Sequence, residues 1–299
     1  MKSIVVTGSN GLLGQTLVNL LLKDKKKYTV IGFSRGENRS GRSDFKYVSV
    51  DLTDEKILLK KLTECKPDVI VNTAAMTNVD ACEDDKKACD QLNIDVVESL
   101  KEYSEANNAH LIHISTDFIF DGKEGPYKET DMPNPLNYYG VSKLRAENIL
   151  TASKIDFTIL RTILVYGRVF NMTRSNIVLW VKKSLEEQKQ ITIVNDQYRM
   201  PTYVEGLAEA CKLAIDKKTT GIFNISSNML LSIYEIALQI ATVFNLDKSL
   251  IKSISTKDLN QKAIRPSITG FNLSKTNKEL NFHPKSFIED LRKFKEKIM

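Results

Sequence analysis

Thr7-Gly8-Ser9-Asn10-Gly11-Leu12-Leu13-Gly14 follows a short apolar run, residues 4–7, and opens a longer amphipathic stretch, residues 11–23. The short run reads as a buried strand and the longer one as a helix. Three glycines therefore fall at a strand-to-helix turn. Gly8 permits the sharp exit from the strand, Gly11 lets backbone come close to a pyrophosphate, and Gly14 lets helix and strand pack closely. Asn10 and Leu12 complete the turn, where free N–H groups at the helix start face an anion. A glycine turn alone is a weak signal; its place at the first strand-to-helix junction of an alternating chain gives it weight. The spacing is Gly-x-x-Gly-x-x-Gly rather than Gly-x-Gly-x-x-Gly.

Outward from that turn, short apolar runs alternate with amphipathic ones. Strands are expected at 28–33, 46–50, 69–72, 110–115 and 157–161, with helices at 55–65, 86–107 and 138–153. That rhythm predicts an α/β fold, a Rossmann-like doubly wound parallel sheet with helices on both faces. After Tyr166 the rhythm loosens. Helices are expected at 175–188, 203–216, 232–244 and 285–298, and a strand at 221–225. Residues 1–166 are thus expected to form the nucleotide-binding domain, with 203–226 returning to it. Residues 167–299 mainly form a smaller C-terminal substrate-binding lobe over the sheet's carboxyl edge. No Pro/Gly-rich linker separates the two, so a shared interface is expected.

The chain has 299 residues, 42% of them hydrophobic, enough for a large core. A net charge of +6, from 43 Lys+Arg against 37 Asp+Glu, reads as a solvated surface and asks for no nucleic acid. Cys65, Cys82, Cys89 and Cys211 form no Cys-x-x-Cys pair, and with three histidines no metal site is spelled out. The N-terminus turns polar too early for a signal peptide, and no apolar run is long enough to cross a bilayer. A cytoplasmic protein with reduced cysteines is expected.

Ligands of doubly wound sheets bind beyond the carboxyl ends of the strands. Four places there carry chemistry. After the second strand, Ser34-Arg35 stands where an acidic residue would grip a ribose 2′-hydroxyl. An arginine there suits a 2′-phosphate, which favours NADPH over NADH; a plain surface cation is the alternative. Asp51-Leu52 follows the third strand, where Asp51 either meets an adenine amino group or caps a loop or helix. Asn72-Thr73-Ala74-Ala75 ends the fourth strand, and the small Ala74 and Ala75 let a cofactor lie close. Ser115-Thr116-Asp117 ends the fifth.

The next long helix carries Tyr139 and Lys143, four residues apart and so on one face. A nearby cation favours the phenolate, so Lys143 is expected to lower the pKa of Tyr139. Tyr139 then exchanges a proton with a carbonyl or alcohol oxygen. Thr116 can hydrogen-bond the same oxygen, and Lys143 can hold a nicotinamide ribose. Singly, Thr116 is as readily a strand-end cap and Tyr139 a packed aromatic.

These residues resemble the extended short-chain dehydrogenase/reductase family, within it the reductases of nucleotide-linked 4-keto sugars. The matching words are Thr7 to Gly14, Val71 to Ala75, Val79 to Glu83, Ile114 to Gly122, Tyr139 to Lys143, Leu160 to Thr162, Val165 to Gly167, Asp196-Gln197, Pro201-Thr202 and Arg265-Pro266. The resemblance implies NADPH-dependent reduction of the 4-keto group of a sugar nucleotide, most closely the last step to dTDP-L-rhamnose. It implies Thr116, Tyr139 and Lys143 as the catalytic trio and Asp117 as a sugar contact. It implies that Asn93 supports the lysine through water. Arg265 and Arg199 are implied to face the sugar nucleotide, with surface ion pairing as the alternative. A homodimer is compatible with it. Two departures fall in the sugar-facing region: Leu164 replaces a tryptophan, and Arg199-Met200 replaces a smaller pair. A 4,6-dehydratase carries a glutamate where Phe118 stands here. A 4-epimerase would want the acidic residue missing after the second strand. A non-catalytic, reductase-like regulatory subunit is the rival of another class.

Overall fold

The computed structural model describes residues 1–259 and 261–298. Seven parallel strands form the main sheet: β1 (Lys2–Thr7), β2 (Tyr28–Ser34), β3 (Lys46–Ser49), β4 (Val69–Asn72), β5 (His110–Thr116), β6 (Phe157–Thr162) and a last strand, Gly221–Ile225. Their order across the sheet is Gly221–Ile225, β6, β5, β4, β1, β2, β3. The order reverses between β1 and β4, which makes the crevice beyond their carboxyl ends the place for a ligand. The doubly wound α/β sheet expected from the alternating runs is therefore present, and the strand expected at 221–225 joins it parallel to β6.

Alternate residues of each strand feed opposite faces. On one face, Ile4 and Val6 pack with helix α1 (Leu12–Leu21) and helix Val204–Lys217. On the other, Val5, Ile70, Leu111 and Ile159 pack under helices Glu55–Cys65, Val96–Asn107 and Tyr138–Thr151. The first core does not stop at the sheet. It runs on through helices Ile177–Glu186, Ile233–Phe244 and Phe287–Ile298 of the C-terminal part. A smaller core of Ile119, Phe120, Tyr127, Ile163, Met200 and Phe271 joins the turn after β5 to segments of that same part.

Local differences from the sequence expectations have clear causes. The helix expected over 86–107 is three pieces: Lys86–Asp90, a π-helical turn at Gln91–Asp95, and Val96–Asn107. A short helix, Val79–Asp84, precedes them, started by the Asn78 side chain accepting from the Ala81 N–H at 3.1 Å. A four-residue pairing of Ile191–Val194 with Ile251–Ile254, parallel and sixty residues apart in sequence, had no local signal. Among the described residues, no helix is long and apolar enough to cross a membrane.

Candidate active site

The glycine turn is built by contact as much as by conformation. Gly8 has φ +65°, and a Cβ on it would lie 2.9 Å from the Ala74 backbone nitrogen, so the turn presses against the end of β4. Gly11 starts α1, is exposed, and receives no side-chain cap; no acid stands in the first turn. Those uncapped N–H groups suit an anionic ligand. Leu12 is half-buried and Gly14 buried against the turn.

Asn10 is fully engaged within the protein. Its Nδ2 donates to the Glu37 carbonyl at 2.9 Å and to Tyr47 Oη at 3.0 Å, and its Oδ1 accepts from the Arg39 N–H at 2.9 Å. It therefore fixes the loop after β2 against the glycine turn. That loop presents Ser34 half-buried and Arg35 with its side chain 74% exposed. Arg39, a second guanidinium at the same loop, was not singled out by the sequence reading, though it lies four residues on. Asp51 divides its oxygens: Oδ1 accepts from the Thr53 N–H at 3.0 Å and hydroxyl at 2.8 Å, while Oδ2 stands 3.9 Å from Arg35. These bonds to Thr53, then Arg35, hold its carboxyl below the usual range. The helix cap considered for Asp51 belongs instead to Asp54, which accepts from the Ile57 N–H. Leu52 is buried in the core beside Val50 and Leu58. Ala74 and Ala75 are half-buried beyond β4. An uncapped helix start, small residues and a free guanidinium at one sheet edge fit a phosphorylated dinucleotide.

The helix Tyr138–Thr151 begins at Tyr138 because Asn137 caps it, accepting from the Gly140 N–H at 2.9 Å. Glu83 accepts from the Tyr138 N–H at 2.7 Å, placing a carboxylate at the positive helix end. Gly140 lets the helix touch the turn after β5: a Cβ there would be 2.2 Å from the Phe118 carbonyl oxygen. This contact brings Tyr139 beside Thr116. Phe118 meets the Tyr139 ring edge-on at 6.1 Å.

Tyr139 keeps one edge open to solvent while its hydroxyl lies deep. Burial pushes the phenol well above its ordinary value, and a hydrogen bond to Thr116 only partly offsets this. The lowering expected from Lys143 is absent; the Lys143 amine is engaged by a histidine of β5. Its Nζ lies 2.8 Å from His113 Nε2, both side chains buried. Burial brings Lys143 down to about 8, with Glu147 opposing. Thr116 Oγ1 accepts from the Phe118 N–H at 3.2 Å and donates to Asp117 at 3.1 Å, so the strand-end cap and the active-site hydroxyl are one group.

Asn93 sits on the π-helical turn and is buried. It accepts from the Met76 N–H at 2.8 Å and donates to the Met76 carbonyl at 3.1 Å and Ser142 Oγ at 3.0 Å. It braces the loop after β4 against helix Tyr138–Thr151 next to Lys143 and makes no direct bond to the lysine.

The residues expected toward the sugar are largely satisfied by the protein. Asp117 is buried, accepts from Thr269 Oγ1, and lies 3.7 Å from Arg199 Nε. Burial raises its carboxyl, and Arg199 holds it back. Arg199 is equally buried and donates to the carbonyls of Tyr198 (2.7 Å), Ser267 (3.1 Å) and Pro266 (2.7 Å). Its guanidinium thus locks segment 266–267 to the turn after β5, and the direct sugar contact expected of it is not what this arrangement offers. Arg265 pairs with Asp80 at 2.7 Å and donates to the Ala263 carbonyl, the ion-pairing alternative. Leu164 has φ +42°, a left-handed conformation costing a leucine roughly 1–2 kcal/mol. Thr202 holds it there, donating its N–H to the carbonyls of Ile163 and Leu164.

A family model described as the RmlD substrate binding domain matches residues 1–299. The chain belongs to that family. Its resemblance to the extended short-chain dehydrogenase/reductases is thereby established. Methionine adenosyltransferase 2 subunit beta of Bos taurus is 32% identical over 259 residues, 85% of this chain and 75% of that protein. A dTDP-4-dehydrorhamnose reductase of Clostridium acetobutylicum superposes with a TM-score of 0.87 at 27% identity, covering 99% of both chains. A dTDP-4-dehydrorhamnose reductase of Bacillus anthracis, solved in complex with NADP, gives 0.84 at 26%, again over 99% of both. Sugar-nucleotide oxidoreductases using a nicotinamide cofactor are thus this RmlD-family chain's structural neighbours.

Proposed function

We propose that this RmlD-family chain is an NADPH-dependent reductase of the 4-keto group of a nucleotide-linked 6-deoxysugar, with dTDP-4-dehydrorhamnose the first candidate. The observation that carries the reading is Tyr139 beside Thr116 at the carboxyl end of β5, with Lys143 one turn further along the same helix and Phe118 where a dehydratase would need a carboxylate. Gly8, Gly11, Gly14, Ala74 and Ala75 would hold the dinucleotide, Arg35 its 2′-phosphate and Lys143 its ribose. When bound, a reduced nicotinamide supplies hydride to the carbonyl carbon. Tyr139 gives its hydroxyl proton to the carbonyl oxygen, and Thr116, its hydroxyl rotated from Asp117, donates a hydrogen bond to that oxygen. The raised phenol suits this direction: it arrives protonated at neutral pH.

A second reading, a non-catalytic partner subunit, is favoured by the 32% identity to methionine adenosyltransferase 2 subunit beta. That protein is longer, however, and the whole trio is present here. A panel of dTDP-, UDP- and GDP-4-keto-6-deoxysugars with NADPH or NADH tests the proposal. Loss of NADPH absorbance with a dTDP-4-keto sugar and formation of the 4-hydroxy product is expected. No turnover with any member, together with an altered rate of a methionine adenosyltransferase on addition of the chain, would establish the second reading.

A further inference from the structure

His113 occupies β5 three residues before Thr116, on a strand buried on both faces. Its Nε2 is 2.8 Å from Lys143 Nζ and its Nδ1 is 3.1 Å from Asn72 Nδ2. Asn72 Oδ1 in turn meets Thr7 Oγ1 at 2.6 Å. All four residues are at most 1% exposed. β5, β4 and β1 are neighbours in the sheet, so this line of polar groups runs beneath the glycine turn, across three strands, to helix Tyr138–Thr151. Nothing else in the proposed chemistry uses it.

We propose that His113 is a positioning residue: a neutral imidazole that holds the Lys143 ammonium by accepting one of its protons, in a tautomer set by Asn72. The functional part of this inference rests on the reductase reading above. A buried imidazole beside a buried lysine stays neutral, and burial, then Lys143, hold its pKa far below the ordinary value. A neutral imidazole has one N–H and one lone pair. An ammonium only donates, so Nε2 must accept and Nδ1 must carry the hydrogen. Nδ1–H then needs the Asn72 amide oxygen, and the Asn72 NH₂ faces Thr7. If Lys143 is a neutral amine the whole line reverses: Thr7 donates to the amide oxygen, the NH₂ donates to Nδ1, and Nε2–H donates to the amine. The amide orientation of the structure corresponds to this second arrangement; amide oxygen and nitrogen are exchanged by a simple flip. The four groups therefore have two arrangements, one for each protonation state of the lysine, and in the ammonium one the Thr7 hydroxyl proton turns away from Asn72.

No other group replaces His113 in this role. Glu147, one turn on, is committed to Arg161 of β6 at 2.7 Å. Cys89, from helix Lys86–Asp90, acts only at longer range, as does Glu147. Tyr139, one turn before, is a neutral phenol at neutral pH. With one Lys143 N–H on His113, two remain for a ribose diol.

The test is nitrogen-15 NMR of the full-length protein without cofactor, with Lys143→Met to assign the lysine signal. Below the Lys143 titration, the wild-type His113 ring is expected as the Nδ1–H tautomer; an Nε2–H ring there would overturn the proposal. His113→Phe is expected to move the Lys143 titration down by about one unit or more, because a buried ammonium loses its acceptor. His113→Gln, whose amide oxygen can accept, is expected to restore most of that shift. A lysine that titrates unchanged in both variants would overturn the proposal. If His113→Phe fails to fold, the wild-type tautomer and the glutamine variant decide. Under the reductase reading, the alkaline limb of the kcat profile moves with the lysine. Absence of any turnover in wild type would count against that reading alone, leaving the tautomer result standing.

Discussion

At the scale of single residues, the sequence named groups correctly placed at the sheet edge but not their partners. Tyr139 and Lys143 were legible from a four-residue spacing, because a helix makes that spacing a contact. The bond from Lys143 to His113 spans thirty residues, and no local pattern announces it. The only hint is a histidine inside an apolar strand. Arg199 was legible as a cation near the site, but its three carbonyl acceptors come from chain neighbours and from residues almost seventy positions away. Arg35 is exposed to solvent apart from a long approach to Asp51, which suits the proposed 2′-phosphate and a plain surface cation alike. One hydrogen bond to a charged group contributes about 1.5–3 kcal/mol. Arg35→Ala is therefore expected to raise KM for NADPH by roughly ten- to a hundredfold while leaving KM for NADH nearly unchanged. Equal effects on both cofactors in steady-state assays would remove Arg35 from 2′-phosphate recognition.

At the scale of elements, strands of the main sheet were easy to place because their buried apolar runs are short and bounded. The π-helical turn was not, since one extra residue in a helical ladder leaves the 3.6-residue rhythm on either side intact. That turn carries Asn93 into contact with Ser142 and so fixes helix Tyr138–Thr151 laterally. Helix Val79–Asp84 carried no signal because six residues, half of them apolar, are too few to show a helical period. The other anchor of helix Tyr138–Thr151 is the Glu147–Arg161 pair, three bonds at 2.7, 3.0 and 3.2 Å with both side chains buried. Arg161 also donates to the Glu129 carbonyl and lies over the Phe120 ring. Removing one partner leaves an unpaired buried charge. Glu147→Ala is expected to destabilise the fold by about 3–5 kcal/mol, measured by denaturant unfolding. A change below about 1 kcal/mol would show that water reaches Arg161.

At the scale of the molecule, the parallel doubly wound sheet followed from the alternating runs, whereas the strand order and the way the C-terminal part is built did not. Its small sheets pair segments far apart in the chain, such as Ile191–Val194 with Ile251–Ile254. What the structure adds is continuity: one apolar core links Ile4 of β1 to Phe287 and Phe294 of the last helix. The Arg199–Asp117 pair ties the same C-terminal part to the turn that carries Thr116. The proposed substrate side and the cofactor side therefore share one rigid frame around Tyr139. The most direct test of that account compares wild type with Tyr139→Phe, measuring NADPH affinity by fluorescence and turnover with a dTDP-4-keto-6-deoxysugar. The account predicts unchanged NADPH binding and a kcat lowered by roughly 10²-fold or more, as loss of a general acid entails. A phenylalanine variant that turns over at the wild-type rate would contradict it.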